Sequence, residues 1–196
     1  YSSGYNQRPD TTLMGILSGI EMAFWDIIGK DLNKPIYELL GGLIREKLRS
    51  YTYLYPSDKD KTNVYEDPQL AAARALEYVE LGFTAIKFDP VGPYTVYDPR
   101  QLSLKSLSLS EKFLSTIRKA VGNSCDILFG THGQMTFSSA VRLAKKLEQY
   151  DPLWFEEPVP PDNIDSMALV ASKTSIPIAT GERLSTKYEF AKVIEK

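Results

Sequence analysis

The chain has 196 residues, with 23 Lys and Arg against 25 Asp and Glu, one His, one Cys and 43% hydrophobic residues. A formal charge of -2 offers no basic surface to recruit nucleic acid or an anionic membrane, and no apolar run is read as reaching the roughly 20 residues of a membrane span. Cys125 alone makes no internal disulfide, and one Cys with one His builds no Cys/His zinc site, so any metal must be held mainly by oxygen.

The first ten residues, YSSGYNQRPD, resemble no signal peptide and carry no period, so an irregular end and a cytoplasmic setting are expected. From Thr11 to about Lys30, the residues Leu13, Ile16, Leu17, Ile20, Phe24 and Ile27 recur at helical spacing. Their face is wide enough to predict a core helix buried on more than one side. Pro35 opens a short second helix through Leu40, which Gly41 and Gly42 stop.

A unit of strand, loop and helix then repeats five times. The strand Ser50 to Tyr55 precedes a helix from Asp67 to Leu81, with Asp67 as N-cap and Pro68 at the first helical position. Thr84 to Phe88 leads through a long loop holding Pro90, Gly92, Pro93 and Pro99 to a helix from about Ser110 to Val121. Asp126 to Phe129 precedes a helix from about Ser138 to Gln149, and Leu153 to Phe155 precedes one from about Asp162 to Lys173. Pro177 to Ala179 is the last strand, and a helix runs from Thr186 to the chain end.

This alternation implies parallel strands and the α/β class. Residues 1–48 read as a helical lead-in and residues 49–196 as a partial (β/α) TIM-type barrel of about five strand-helix units. Periodicity alone does not separate a barrel from an open doubly wound sheet. The absence of a G-x-G-x-x-G turn counts against a dinucleotide fold. The barrel is favoured because Lys87 and Asp89, His132, Glu156 and Glu182 each follow the C-terminal end of a different strand, where barrels assemble their active sites.

Glu156 follows Leu-Trp-Phe and Glu182 follows Ile-Ala-Thr-Gly. On neighbouring strands the two carboxylates would repel unless a cation or proton sat between them, and hard oxygen ligands suit Mg²⁺. The plain alternative is a charged loop before a helix. His132 is the one side chain with an unperturbed pKa near neutrality, a natural proton donor or acceptor, against the alternative of a turn histidine between small residues. Lys87 ends an apolar strand and could bind an acidic substrate, or else snorkel to the surface. Trp25 and Trp154 read as core residues.

These residues lie in ordered motifs. Ser18-Gly-Ile-Glu-Met-Ala-Phe-Trp-Asp through Pro35-Ile-Tyr-Glu-Leu-Leu-Gly-Gly resembles the segment leading into the barrel of the mandelate racemase group of the enolase superfamily. Gly82-Phe-Thr-Ala-Ile-Lys, Phe129-Gly-Thr-His-Gly, Trp154-Phe-Glu-Glu-Pro and Ile178-Ala-Thr-Gly-Glu-Arg match in the same order. The resemblance implies Mg²⁺ bound by carboxylates at the ends of the third, fourth and fifth strands, holding the carboxylate of an acid sugar. Proton abstraction beside that carboxylate gives an enediolate, which in the dehydratases loses its β-hydroxyl. Glu156 and Glu182 match the second and third metal ligands. Lys87 matches the first lysine of the Lys-x-Lys motif, and His132 matches the histidine that protonates the leaving hydroxyl in galactonate-type dehydratases.

Two positions depart from the pattern. Gly130 stands where the first metal-binding Asp is expected, and Asp89 where racemases carry their second lysine. The expectation is therefore a dehydratase (a hydro-lyase) acting on a small acid-sugar substrate, with His132 and Lys87 catalytic. Lys87 and Arg183 bind substrate, and Mg²⁺ is held by Glu156, Glu182 and, taking over the first-ligand role, Asp89. Asp89 has the alternatives of pairing with Lys87 or starting the Pro90 turn. A racemase, epimerase or cycloisomerase on the same scaffold, or a relic without metal binding, is the rival reading. Five units fall short of a closed eight-stranded barrel of roughly 250 residues. The chain is therefore expected to be part of a longer enzyme that forms a homo-oligomer.

Overall fold

The computed structural model describes residues 10–91 and 101–196. The expected irregular start, apart from Asp10, and the loop positions Gly92, Pro93 and Pro99 lie outside the described residues. The chain divides into two compact units, Tyr1–Arg49 with Glu182–Glu195, and Ser50–Gly181 with Lys196. The last helix thus groups with the N-terminal segment and not with the strands.

In the first unit, α1 (Thr11–Asp31) starts at Asp10, whose side chain accepts from the Leu13 amide. It turns into α2 (Ile36–Leu39) where the Lys34 amide donates to the Gly29 carbonyl at 2.8 Å. Gly29 is required there: a Cβ would sit 2.9 Å from the Lys34 carbonyl oxygen. The expected burial of α1 is not found. Only Gly29 is buried, whereas Ile16, Ile20, Phe24 and Ile27 are exposed. Trp25 is half-buried and donates to Glu21 instead of filling a core. A helical period marks an apolar stripe but does not say what covers it. At 21 residues α1 is also long and apolar enough to cross a membrane by those two measures, which corrects the reading of its run as too short. Core helices of water-soluble proteins meet the same measures.

The same unit holds α7 (Lys187–Glu195). Thr186 and Glu189 form a capping box at its start, the Thr186 amide donating to Glu189 Oε2 at 2.8 Å and the Glu189 amide to Thr186 Oγ1 at 3.4 Å.

The second unit carries β1 (Thr52–Tyr53), α3 (Pro68–Glu80), β2 (Ala85–Phe88), α4 (Leu104–Val121), β3 (Asp126–Gly130) and α5 (Phe137–Leu147). A 3-10 turn (Glu148–Tyr150), β4 (Trp154–Glu156), α6 (Ile164–Ala171) and β5 (Ile178–Ala179) follow. The strands are all parallel and lie in chain order β1-β2-β3-β4-β5. A doubly wound sheet reverses its strand order at a switch point. Unidirectional order with right-handed crossovers puts every helix on one face, as in consecutive units of a barrel.

Ile86, Phe88, Ile127, Phe129 and Phe155 point to that helical layer, with Phe88, Phe129 and Phe155 stacked edge to face at 5.9 and 5.7 Å. By strand alternation Tyr53, Lys87, Leu128, Gly130, Trp154 and Glu156 occupy the opposite face. The strands are shorter than the apolar runs suggested, and α4 starts six residues earlier than expected, where Ser103 caps the Ser106 amide. Asp67 caps α3 as its Asp-Pro signal predicts.

Candidate active site

The C-terminal ends of β2, β3 and β4 bring together two pairs of charged or polar side chains. Lys87 leaves β2, passes across β3 at Gly130 and reaches Glu156 on β4. Its ammonium donates to Oε1 at 2.7 Å and lies 2.6 Å from Oε2. The pair is nearly enclosed, with side-chain exposures of 11% and 13%. The Trp154 indole N–H donates to Glu156 Oε2 at 3.1 Å, and the Lys87 ammonium lies 5.6 Å from the centre of the Tyr51 ring. Trp154 is therefore a partly exposed wall of the site and not the core residue expected.

Gly130 makes this crossing feasible. A Cβ there would meet Lys87 Cε at 2.7 Å, Tyr53 Cε2 at 3.0 Å and Lys87 Cγ at 3.3 Å. Any side chain at this position competes with Lys87 for one volume.

Asp89 lies one step beyond β2. Its Oδ1 accepts from the Val91 amide at 2.8 Å, a local turn around Pro90, and its Oδ2 is 3.9 Å from His132 Nδ1. Burial pushes the Asp89 pKa up to about 7, against the opposing pull of the Val91 amide and the neighbouring Gln134 side chain. His132 itself is open to solvent at 43%. Its backbone N–H donates to Gln134 Oε1 at 2.6 Å. The turn that carries it is fastened to β4, where Thr131 Oγ1 bonds the carbonyls of Glu156 and Glu157 and the Gly133 amide donates to the Glu157 carbonyl at 2.8 Å. Glu157 is fully buried, adopts a left-handed φ of 38° and accepts from Thr180 Oγ1 at 3.3 Å.

The structure thus brings Lys87 to Glu156 and Asp89 to His132. Glu182 and Arg183 lie in the first unit, where Arg183 Nη2 is 3.5 Å from Glu182 Oε1. Sequence reasoning missed Gln134, Thr131 and Glu157. For Glu157 the local signal pointed elsewhere: a residue before proline is expected to be extended, and its φ of 38° departs from that.

The expected Mg²⁺ set was Glu156, Glu182 and Asp89. Among the described residues no three of His, Cys, Asp and Glu converge as a group able to hold a metal ion. The donor chemistry gives the reason. Gly130 supplies no oxygen, both oxygens of Glu156 are taken by Lys87 and Trp154, and Asp89 is turned toward Val91 and His132. The residues present do not fit the ion, because an octahedral Mg²⁺ needs carboxylate oxygens free of a competing ammonium.

Comparison with known proteins places these residues in a family. Residues 70–196 match the enolase C-terminal domain-like model, and residues 6–41 match the N-terminal domain of mandelate racemase / muconate lactonizing enzyme. A solved mandelate racemase/muconate lactonizing enzyme from Sulfitobacter sp. superposes with a TM-score of 0.94 at 52% identity, over 100% of this chain and 50% of that one. Curated relatives include a D-xylonate dehydratase of Haloferax volcanii, 38% identical over 90% of this chain and 42% of its own length. A D-galactonate dehydratase of Xanthomonas euvesicatoria is 34% identical over 99% of this chain and 47% of its own. The chain spans less than half the length of these two curated relatives.

Proposed function

We infer that this chain, which belongs to the mandelate racemase/muconate lactonizing enzyme group of the enolase superfamily, serves the dehydration of an acid sugar. Relatives named as D-xylonate, D-gluconate and D-galactonate dehydratases support this reading. The observation that carries it is the seating of His132 beyond the end of β3, beside the buried carboxyl of Asp89 and on the same strand-end rim as Lys87.

In this reading the substrate carboxylate approaches the Lys87 ammonium, which keeps donor capacity beyond the bonds it makes to Glu156. When a general base takes the proton next to the carboxylate, releasing it to solvent between turnovers, the electron pair of that C–H bond forms the new C=C bond. The β-hydroxyl then departs with a proton from His132, leaving as water, and the enol tautomerises to a 2-oxo-3-deoxy acid. Asp89 faces His132 and returns its proton between turnovers. Mg²⁺ is general in the superfamily, but the donor set described above does not fit it, and no step here passes through it. A small sugar-acid substrate supports a cytoplasmic setting.

The test is to screen the full chain against aldonic and aldaric acids for 2-oxo acid formation. His132→Asn should slow turnover by roughly 10²-fold or more with the active substrate; unchanged turnover would remove His132 from the reaction.

A further inference from the structure

We propose that the ammonium of Lys87 is the resident cation of the strand-end carboxylate Glu156, standing in the place a divalent ion would need, and that Gly130 exists to let it reach there. Three observations converge. Lys87 bridges from β2 to β4 with Nζ 2.6 and 2.7 Å from the two Glu156 oxygens. It lies directly over Gly130, where the first added carbon would collide with its Cε at 2.7 Å. The pair is sealed by the Trp154 indole and the Tyr51 ring, which leaves Glu156 no oxygen unclaimed.

The arrangement is physically self-consistent. A nearly enclosed carboxylate demands an opposite charge, and leaving it alone would be strongly destabilising. With a glycine at position 130 and a lysine at position 87, the ammonium supplies that charge without an ion. A side chain at position 130 would push Lys87 off this path, and an aspartate there would add a second negative charge that the one ammonium could not neutralise. In this chain the lysine at position 87 and the glycine at position 130 together place an ammonium on Glu156. The proposal concerns binding and packing, so it stands or falls independently of the dehydration reading.

The experiment is titration of the full chain with Mg²⁺ by calorimetry and with Mn²⁺ by electron paramagnetic resonance. The parent and Glu156→Gln should give the same isotherm. Lys87→Met should expose Glu156 to the ion and tighten Mn²⁺ binding at least 10-fold, and adding Glu156→Gln to it should abolish that gain. A parent site that weakens 10-fold or more on Glu156→Gln would overturn the proposal, as would a Lys87→Met variant whose Mn²⁺ affinity is unchanged. Should Lys87→Met not fold, the packing half remains testable. Gly130→Ala should lower the melting temperature by several degrees in the parent and much less in a Lys87→Ala background. An equal loss in both backgrounds would refute the shared volume.

Discussion

Asp89 shows how one side chain ties stability to pH. Its carboxyl titrates near 3.8 when unfolded and about 7 in the folded chain, because burial disfavours the charged form. Below both values the group is protonated in either state and contributes nothing. Between pH 4 and 7 the folded chain binds more protons than the unfolded one, so this contribution turns against folding as pH rises and levels off above 7. Asp89→Asn should therefore stabilise the chain at pH 8 by on the order of a few kcal/mol, and hardly at all at pH 4. Urea unfolding at the two pH values checks this, and an equal effect at both would contradict the assignment. At this scale the strand-end positions of Lys87, Asp89, His132 and Glu156 were legible, since each polar group interrupts an apolar run. Their partners were not. The sequence pattern says that Lys87 and Glu156 end different strands, but only the empty volume over Gly130 decides that they meet.

Helices and turns hold the strand ends where the site needs them, and Arg118 contributes at the opposite end of the sheet. From the last turn of α4 its guanidinium donates to the carbonyls of Gly122, Cys125, Tyr150 and Asp151, at 2.9 to 3.0 Å. It ties the end of α4 to the entries of β3 and β4. Arg118→Met keeps much of the aliphatic stem but strands these acceptors, and should cost about 2 to 3 kcal/mol. Thermal unfolding of the variant measures it, and a loss below about 0.5 kcal/mol would show the four bonds to be replaceable by water. Nothing periodic marked Arg118, because its partners are main-chain atoms more than 30 residues away for two of the four bonds. Local chemistry was readable where it acts locally. Asp67-Pro68 announced the start of α3, and Thr186-x-x-Glu189 carried an equally plain capping box that the apolar period alone did not reveal. The early start of α4 was obscured because alternating Leu and Ser in 102–110 mimics a strand period while Ser103 makes the helical cap.

At the largest scale the governing fact is that, among the described residues, the parallel sheet runs from β1 to β5 without closing. Strand order was the feature periodicity left open, and it selects successive barrel units over a doubly wound sheet. Among the described residues it also leaves β1 and β5 each with one edge that pairs with no strand. An unpaired parallel edge presents amides and carbonyls that recruit another strand, and barrels remove the hazard by closure. Described by itself, α1 adds an exposed apolar stripe that includes Ile16, Ile20, Phe24 and Ile27, a kind of surface that drives association when contiguous. A polypeptide of these 196 residues is therefore expected to self-associate at micromolar concentration, with a sedimentation coefficient that climbs as concentration rises. The two causes separate by mutation. Ile20→Lys with Ile27→Lys places charge on the α1 stripe without altering the sheet, while Ala179→Lys charges β5 on the face away from the helices. If the edges dominate, Ala179→Lys should weaken the concentration dependence of the coefficient and the α1 pair should not. If the stripe dominates, the reverse holds. A parent chain that sediments as a monomer throughout would show that neither the open edges nor the α1 stripe is adhesive.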